Sequence, residues 1–266
     1  MYDFNYHRPK SLADAQAALK GKSEARPMSG GMTLIPTLKQ RLAKPSDVVD
    51  LGGIKDLAGI KLDAGGVTIG AMTKHADVAS SADVKGAIPA LASLAGHIGD
   101  PAVRNRGTIG GSVANNDPAA DYPAAVVALN ATITTTAGKH TADGFFKGLF
   151  ETALKDGELI TSISFPIPEK AIYMKFRQPA SRFALVGVFL ARTAQGVRVA
   201  VTGASSNGVF RHHGLEEALS RSFTPEAAAA VNIDASDLSS DLHASAAYRA
   251  HLIGVQTQRA VKQLAG

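Results

Sequence analysis

The sequence predicts an α+β fold made of three units, at residues 1–55, 56–168 and 169–266. Short segments rich in β-branched residues alternate with apolar segments of helical length along the chain. Pro166 and Pro168 mark a break after the second unit. A hydrophobic content of 45% and a charged content of 19% are typical of a globular protein, and 266 residues allow a substantial core.

The first unit is predicted to place a glycine turn between a strand and a helix. Ser11 begins a capping-box pattern, and Gly21 ends the helix that follows it. A strand at residues 26–29 leads into the turn PMSGGMTLIP, and a strand at residues 48–51 closes the unit. The helix after the turn carries leucines at every fourth position: Leu34, Leu38 and Leu42. A turn between a strand and a helix is a common setting for phosphate binding.

The second and third units are predicted to alternate strands and helices as well. In the second unit, Thr73 is the expected N-cap of a helix. The expected strands of that unit lie at residues 67–70, 131–136 and 159–165, and an apolar helix lies at residues 88–98. In the third unit, strands are expected at residues 184–191 and 197–202, and helices at residues 216–220, 225–230 and 244–263.

The stretch GTIGGSVANNDPAADYPAAVVAL, residues 107–129, has the composition of a diphosphate site followed by a buried helix. Its two adjacent glycines can expose bare N–H groups to an anion. Thr108 and Ser112 add hydroxyl donors, and the segment from Pro118 offers a helix start. Arg104 and Arg106 precede the stretch; they either steer a diphosphate or fix the loop to neighbouring carboxylates, and we expect the second role.

The earlier turn, with Gly30 and Gly31 between Ser29 and Thr33, repeats this arrangement. A single glycine pair is equally well explained as a tight turn. Two such turns, far apart in sequence, can hold one dinucleotide from two sides. The pairing therefore favours a dinucleotide site over two unrelated tight turns.

Several classes of function are excluded. The net charge of +5 comes from basic residues that interleave with acidic ones, and only 6% of residues are aromatic, so we expect no nucleic-acid binding. The absence of cysteine excludes disulfides, a thiolate nucleophile and a cysteine-ligated iron–sulfur cluster on this chain. No segment has the roughly 18 apolar residues of a membrane span. We expect a cytoplasmic protein that meets the inner face of the membrane, if at all, only through a complex.

No catalytic or metal-binding residue is predicted. The chain lacks a nucleophile–base constellation and a GxGxxG motif after a strand. His212 and His213 are a local pair without metal-ligand spacing, and we expect them in a surface loop. Three further histidines are isolated in the sequence and are expected to be structural or exposed: His75, His97 and His140.

Four separated motifs resemble the FAD-binding medium subunit of the molybdenum hydroxylase family, and that of aerobic carbon monoxide dehydrogenase in particular. They are MYDFNYHRPKSLADAQAAL, MSGGMTLIPTLKQRLAKP, GDPAVRNRGTIGGSVANNDPAADYPA and YMKFRQPASRFALVGV. HASAAYRAHLIGV near the C-terminus continues the resemblance. It implies a two-part FAD-binding fold of the vanillyl-alcohol oxidase/PCMH type, followed by a C-terminal α+β domain with a three-stranded sheet and helices.

The resemblance also implies an oxidoreductase subunit with FAD. A large subunit would carry the molybdenum cofactor and oxidise the substrate, and a small subunit would relay electrons through iron–sulfur clusters to the FAD. An external acceptor would then take the electrons, and the complex would be a dimer of heterotrimers. A self-contained FAD-dependent oxidoreductase and a flavin-free scaffolding subunit are the alternatives.

The resemblance places the cofactor against specific residues of this chain. On one side the pyrophosphate would contact the first turn, and on the other side the second turn. Asp121 would hydrogen-bond the flavin nucleotide, Ile160 and Lys175 would lie near the cofactor, and Tyr173 would pack on the isoalloxazine. The residues of the two turns are Ser29, Gly30, Gly31, Met32 and Thr33, then Thr108, Ile109, Gly110, Gly111 and Ser112. Met32 departs from the family pattern, in which a polar residue often occupies this position.

Overall fold

A computed structural model describes residues 1–265, which form three main sheets, a short hairpin and twelve α-helices. The N-terminal sheet is parallel, with strand order β1-β3-β2. Its strands are β1 (Asn5–His7), β2 (Ala25–Met28) and β3 (Asp47–Asp50), and its helices are α1 (Leu12–Leu19) and α2 (Leu34–Lys39). Two 3-10 turns, Leu51–Gly53 and Lys55–Leu57, lead out of this sheet.

The helix caps of the N-terminal sheet follow from local sequence. The Ser11 hydroxyl accepts the Asp14 N–H at 3.1 Å, which confirms the predicted start of α1. Helix α2 ends before Arg41, whose φ of 59° is incompatible with helix. Leu42 therefore lies outside the helix and is exposed, contrary to its predicted place on the apolar side.

The second sheet is antiparallel and holds five strands in the order β4-β5-β10-β6-β7. The strands in chain order are β4 (Ile60–Asp63), β5 (Gly66–Gly70), β6 (Thr132–Thr135), β7 (Lys139–Thr141), β8 (Phe146–Gly148), β9 (Glu151–Thr152) and β10 (Ile160–Phe165). Strands β8 and β9 form the separate hairpin. Strand β10 lies centrally because both of its edges are paired, to β5 and β6.

Six helices connect β5 to β6, and a seventh follows β7. They are α3 (His75–Ser80), α4 (Ala82–Ala87), α5 (Pro89–Gly96), α6 (Pro101–Arg104), α7 (Ile109–Asn115), α8 (Tyr122–Ala128) and α9 (Ala142–Phe145). Every residue of α8 is buried, which confirms the predicted buried helix. Helix α8 packs against the C-terminal sheet, so the core of the second unit continues into the third.

Two predicted helix starts are wrong. Helix α3 begins after Lys74 without a side-chain cap, because the Thr73 hydroxyl bonds both the N–H and the C=O of Gly59, at 2.9 and 3.0 Å. Helix α8 begins at Tyr122 rather than at Pro118. The Asp117 carboxylate instead accepts the Ala119 N–H at 2.9 Å and closes a turn there.

The C-terminal sheet is antiparallel, with strand order β11-β12-β13-β14. Its strands are β11 (Lys170–Arg177), β12 (Ala184–Thr193), β13 (Gly196–Thr202) and β14 (Phe210–Arg211). Its helices are α10 (His213–Arg221), α11 (Pro225–Ala229) and α12 (Ala246–Ala265). Three long strands match the expected sheet, and β14 adds a two-residue edge. Along residues 1–265, no helix combines the length and the hydropathy that crossing a membrane requires.

The histidine pair has a structural role at the start of α10. The His212 ring accepts the Leu215 N–H at 3.2 Å and so caps the helix, whereas a surface loop was expected. His213 lies 3.0 Å from the Glu216 carboxylate. Within residues 1–265, no group of three or more His, Cys, Asp or Glu side chains is arranged to hold a metal ion.

Candidate functional site

A cleft of about 610 Å³ lies between the loop after β2 and the start of α7. The end of the loop before α8 and the start of β10 also line this cleft. Among its lining residues are eleven of the fourteen predicted site residues: Ser29, Gly30, Gly31, Met32, Thr33, Thr108, Gly110, Gly111, Ser112, Asp121 and Ile160. The other three, Ile109, Tyr173 and Lys175, do not line it.

The two glycine pairs face each other across direct contacts. The Thr108 hydroxyl donates to the Ser29 hydroxyl at 3.2 Å, although 79 residues separate them. A Cβ atom added to Gly30 would overlap the carbonyl oxygen of Arg106, and one added to Gly111 would overlap the Ser29 hydroxyl. Glycine is required at position 30 because the two backbones approach too closely for a side chain, and at position 111 because the Ser29 and Thr108 hydroxyls occupy the space of a Cβ.

The first loop carries the free backbone donors. None of the N–H groups of residues 30–33 donates a hydrogen bond within residues 1–265. Gly31 has φ of 74°, in the left-handed region that favours glycine, and residues 30–33 all line the cleft. Neighbouring N–H groups without acceptors form a concavity suited to an anion.

The second loop supplies hydroxyls rather than bare N–H groups, which corrects the expectation for its glycines. The N–H groups of Ile109 and Gly110 donate to the carbonyls of Thr73 and Ala71, at 3.1 and 2.9 Å. The Gly111 N–H donates to the Thr108 hydroxyl at 3.1 Å. The glycine pair lies in the first turn of α7, because Thr108 caps that helix. Ile109 points into the core and is fully buried.

A buried polar cluster of Asp121, Tyr173 and Lys175 lies at the cleft wall. The Asp121 carboxylate accepts hydrogen bonds from the Tyr173 hydroxyl and from the Lys175 ammonium, the latter at 2.9 Å. Lys175 also donates to the His97 carbonyl at 3.2 Å. Burial raises the pKa of Asp121, and the Lys175 charge and the Tyr173 hydroxyl oppose that rise. The cluster joins β11 of the C-terminal sheet to the cleft.

Tyr173 therefore does not occupy the position expected for it. Its ring is buried and stacks on Phe189, with the ring centroids 6.0 Å apart, and its hydroxyl is directed to Asp121. Only Asp121 of this cluster lines the cleft. Sequence reasoning missed Phe183, an aromatic residue 48% exposed that does line it. Its position in SRFALVGV, just before the apolar strand β12, is the signal that could have identified it.

His75 also lines the cleft and was expected to be structural or exposed. Its backbone N–H donates to the Gly107 carbonyl at 3.0 Å, and its ring lies 5.3 Å from the Tyr122 ring, centroid to centroid. Its Nδ1 has no hydrogen-bond partner within residues 1–265. Burial, assisted by the Arg104 charge, lowers the pKa of His75 to about 4, so the imidazole is neutral at pH 7.

Glu158 is a second cleft residue that the sequence did not single out. Burial raises its pKa, but hydrogen bonds from Thr135, His140 and the Lys155 N–H together outweigh burial and lower the pKa to about 2. The carboxylate is therefore ionised at the cleft wall near β10. Its role is to hold three segments together.

The two arginines before α7 differ in the hydrogen bonds that their side chains make. Arg104 donates to the carbonyls of Ile98 and Gly99, both at 3.0 Å, and so fixes the loop between α5 and α6 as expected. Its partners are carbonyls, not carboxylates. The Arg106 side chain makes no hydrogen bond or ion pair within the described chain; its carbonyl instead lies against Gly30.

The sequence profile of the FAD binding domain in molybdopterin dehydrogenase matches residues 2–168, which include both glycine loops. The chain belongs to this family. It is an FAD-binding oxidoreductase subunit of the molybdenum hydroxylase type. The chain is 35% identical to the glyceraldehyde dehydrogenase medium chain of Sulfolobus acidocaldarius, over 99% of each protein. It is also 35% identical to the carbon monoxide dehydrogenase medium chain of Hydrogenophaga pseudoflava, over 97% of this chain and 96% of that one.

The fold agrees with solved structures of such proteins. Quinoline 2-oxidoreductase from Pseudomonas putida 86 contains a chain that superposes with a TM-score of 0.90, at 30% identity, over 99% of this chain and 97% of that one. The two-part FAD-binding fold and the C-terminal α+β domain are thereby confirmed. The geometry of the cleft itself also fits a dinucleotide cofactor. Free N–H groups, hydroxyls and closely packed glycines line a concave space of about 610 Å³.

Proposed function

We propose that the cleft binds FAD with its pyrophosphate against the first loop. The four free N–H groups of residues 30–33 support this placement, because an anion there would replace water on donors that have no protein acceptor. Thr108 and Ser112 line the same cleft from the second loop. The Thr108 hydroxyl already donates to Ser29, whereas the Ser112 hydroxyl makes no hydrogen bond within residues 1–265. The free N–H groups are the observation that carries the proposal.

We assign the remaining residues according to where they lie. Asp121 and Ile160 line the cleft and would contact the nucleotide or the ring system, and Met32 would contribute through its backbone N–H. Ile109 and Lys175 would act from behind the wall, the former by packing and the latter through Asp121. Phe183 offers an aromatic face to the cofactor.

We further propose that the chain works with a molybdenum-cofactor large subunit and an iron–sulfur small subunit, in a dimer of heterotrimers. The relatives named above are medium chains, and this chain has no cysteine with which to hold an iron–sulfur cluster. Bound FAD would supply the exchange of electrons between the iron–sulfur clusters and an external acceptor. The chain's own residues bind the cofactor, orient it and set its electrostatic surroundings.

The three-unit division, with boundaries near residues 55 and 168, stays a proposal. Each unit has its own sheet, and the N-terminal sheet has a separate apolar cluster that includes Ala15, Leu19 and Val49. The second and third units share apolar contacts through α8 and β12, so we expect them to unfold together.

The deciding experiment is to purify the chain together with its co-purifying subunits, record the visible spectrum and identify the released chromophore by chromatography. We expect FAD in a ratio of one per chain. The chain alone, given added FAD, is the second sample. If both preparations were colourless and refused added FAD, FAD binding at this cleft would be wrong.

A further inference from the structure

The loop of residues 117–121, here called the carboxylate loop, belongs to the cleft but is held from the C-terminal sheet. Asp117, Ala120 and Asp121 line the cleft. The polar contacts that anchor the loop come from β11 and from the end of β13. The position of the cleft carboxylates therefore depends on residues far from both glycine loops.

Thr202, the last residue of β13, makes the central contact. Its side chain is fully buried, and its hydroxyl lies 2.7 Å from the Ala120 carbonyl and 3.0 Å from the Pro118 carbonyl. The next N–H, that of Gly203, donates to the Pro118 carbonyl at 2.8 Å. Pro118 thus has a second donor, whereas the Ala120 carbonyl receives no other hydrogen bond within residues 1–265.

The Ala120 carbonyl belongs to the peptide that immediately precedes Asp121. Because the peptide is planar, fixing it fixes the position of the Asp121 Cα, from which the side chain extends. Tyr173 and Lys175 then hold the carboxylate itself. Two side chains of the C-terminal sheet therefore hold the Asp121 carboxylate, and a third, Thr202, holds the peptide just before it.

We propose that Thr202 is a positioning residue for the cofactor: its hydroxyl fixes the carboxylate loop and so aligns Asp121 with the bound FAD. The inference rests on the proposed FAD site. Thr202 touches neither glycine loop and does not line the cleft, so its effect on the cofactor passes through the loop.

The test measures FAD binding and the flavin spectrum in the purified complex after removal and re-addition of FAD. Thr202→Val keeps the side-chain volume but leaves the Ala120 carbonyl without a donor. We expect FAD affinity to fall by about tenfold and the visible flavin bands to shift. Thr202→Ser restores the hydroxyl and should restore both readouts.

The matched control is Thr257→Val in α12. Thr257 is also fully buried, and its hydroxyl donates to the Ile253 carbonyl at 2.8 Å, within the same helix. It does not line the cleft. Thr257→Val likewise removes a fully buried hydroxyl and should leave FAD affinity and spectrum unchanged, which separates positioning from the mere loss of a buried hydroxyl.

The outcomes distinguish the two proposals. A wild-type complex that does not rebind FAD would contradict the FAD site itself. Two results would overturn the role of the Thr202 hydroxyl and leave the FAD site standing. One is wild-type affinity and spectrum in Thr202→Val, and the other is a Thr202→Ser variant as impaired as Thr202→Val. If Thr202→Val does not fold, Thr202→Cys replaces it, because a thiol is a weaker donor. That variant should bind FAD several-fold more weakly than Thr202→Ser, and equal binding would overturn the inference.

Discussion

Replacing Gly30 with alanine tests whether contact between the two glycine loops sustains the cofactor cleft. The added Cβ would overlap the Arg106 carbonyl oxygen, and it would lie 2.7 Å from that carbonyl carbon and 2.8 Å from the Gly107 Cα. All three are backbone atoms, which no rotamer change can move. Gly30 does not have a positive φ, so alanine meets no backbone penalty and the whole cost is steric.

The magnitude follows from the overlap. Ordinary contacts begin at 3.4 Å, so the loops must separate by at least 0.6 Å, and by more at the carbonyl oxygen. Overpacking of this kind costs about 1–3 kcal/mol. The same separation lengthens the hydrogen bond between Thr108 and Ser29 and moves the free N–H groups away from the hydroxyls. We expect FAD affinity to fall by about 10- to 100-fold.

The assay pairs urea unfolding with FAD titration, and Gly86→Ala is the control. Gly86 lies in α4 with no atom within 4 Å of its added Cβ. There alanine should stabilise the chain by about 0.5–1 kcal/mol through helix propensity. We therefore expect the free energy of unfolding to fall in Gly30→Ala and to rise in Gly86→Ala. Wild-type stability and FAD affinity in Gly30→Ala would refute the view that the loops are held in contact.

Three further predictions concern the walls of the cleft. Gly111→Val should abolish FAD retention in a folded chain, because its side chain meets the Ser29 hydroxyl; normal flavin content would contradict this. Lys175→Met should lower the free energy of unfolding by about 3–5 kcal/mol, since Asp121 is left buried without its cation, and adding Asp121→Asn should recover part of the loss in urea unfolding. In acid, wild-type stability should fall between pH 4.5 and about 2 as Glu158 protonates, and Glu158→Gln should show a smaller fall there.

Local signals in the sequence were sufficient where a structural element depends on its own residues. The Ser11 cap, the apolar face of α5 and the buried helix α8 all follow from spacing and composition. Local sequence signals failed where a residue is held by a partner far away in the sequence. Thr73 has the side chain of a cap but bonds Gly59, and Tyr173 is held in the core by Asp121 and Phe189.

The site illustrates the same limit. The composition of both glycine loops is visible in sequence, but which loop keeps free N–H groups is decided by tertiary contacts. Ala71 and Thr73, from the segment after β5, accept the donors of the second loop. The first loop has no such neighbour. Sequence alone therefore identified the residue types of the cleft and could not divide the donor roles between them.

Acid sensitivity of the second loop follows from His75. Its folded pKa of about 4 lies below the ordinary value of 6.5, so between these pH values the unfolded chain binds a proton that the folded chain rejects. Stability must therefore fall as pH drops from 6.5 to 4, by roughly 3 kcal/mol in total. Arg104 and Tyr122 are the groups that face the ring, and neither can neutralise an imidazolium.

Because the His75 ring lies directly against Gly107 at the start of the second loop, we expect the complex to release FAD over the same interval, measured as recovered flavin fluorescence. His75→Leu removes the titrating group and keeps an apolar side chain against Tyr122. Its stability and FAD retention should change little between pH 6.5 and 4, whatever their absolute values. A pH dependence equal to that of the wild type would show that acid release has another origin and that protonation of His75 does not loosen the second loop.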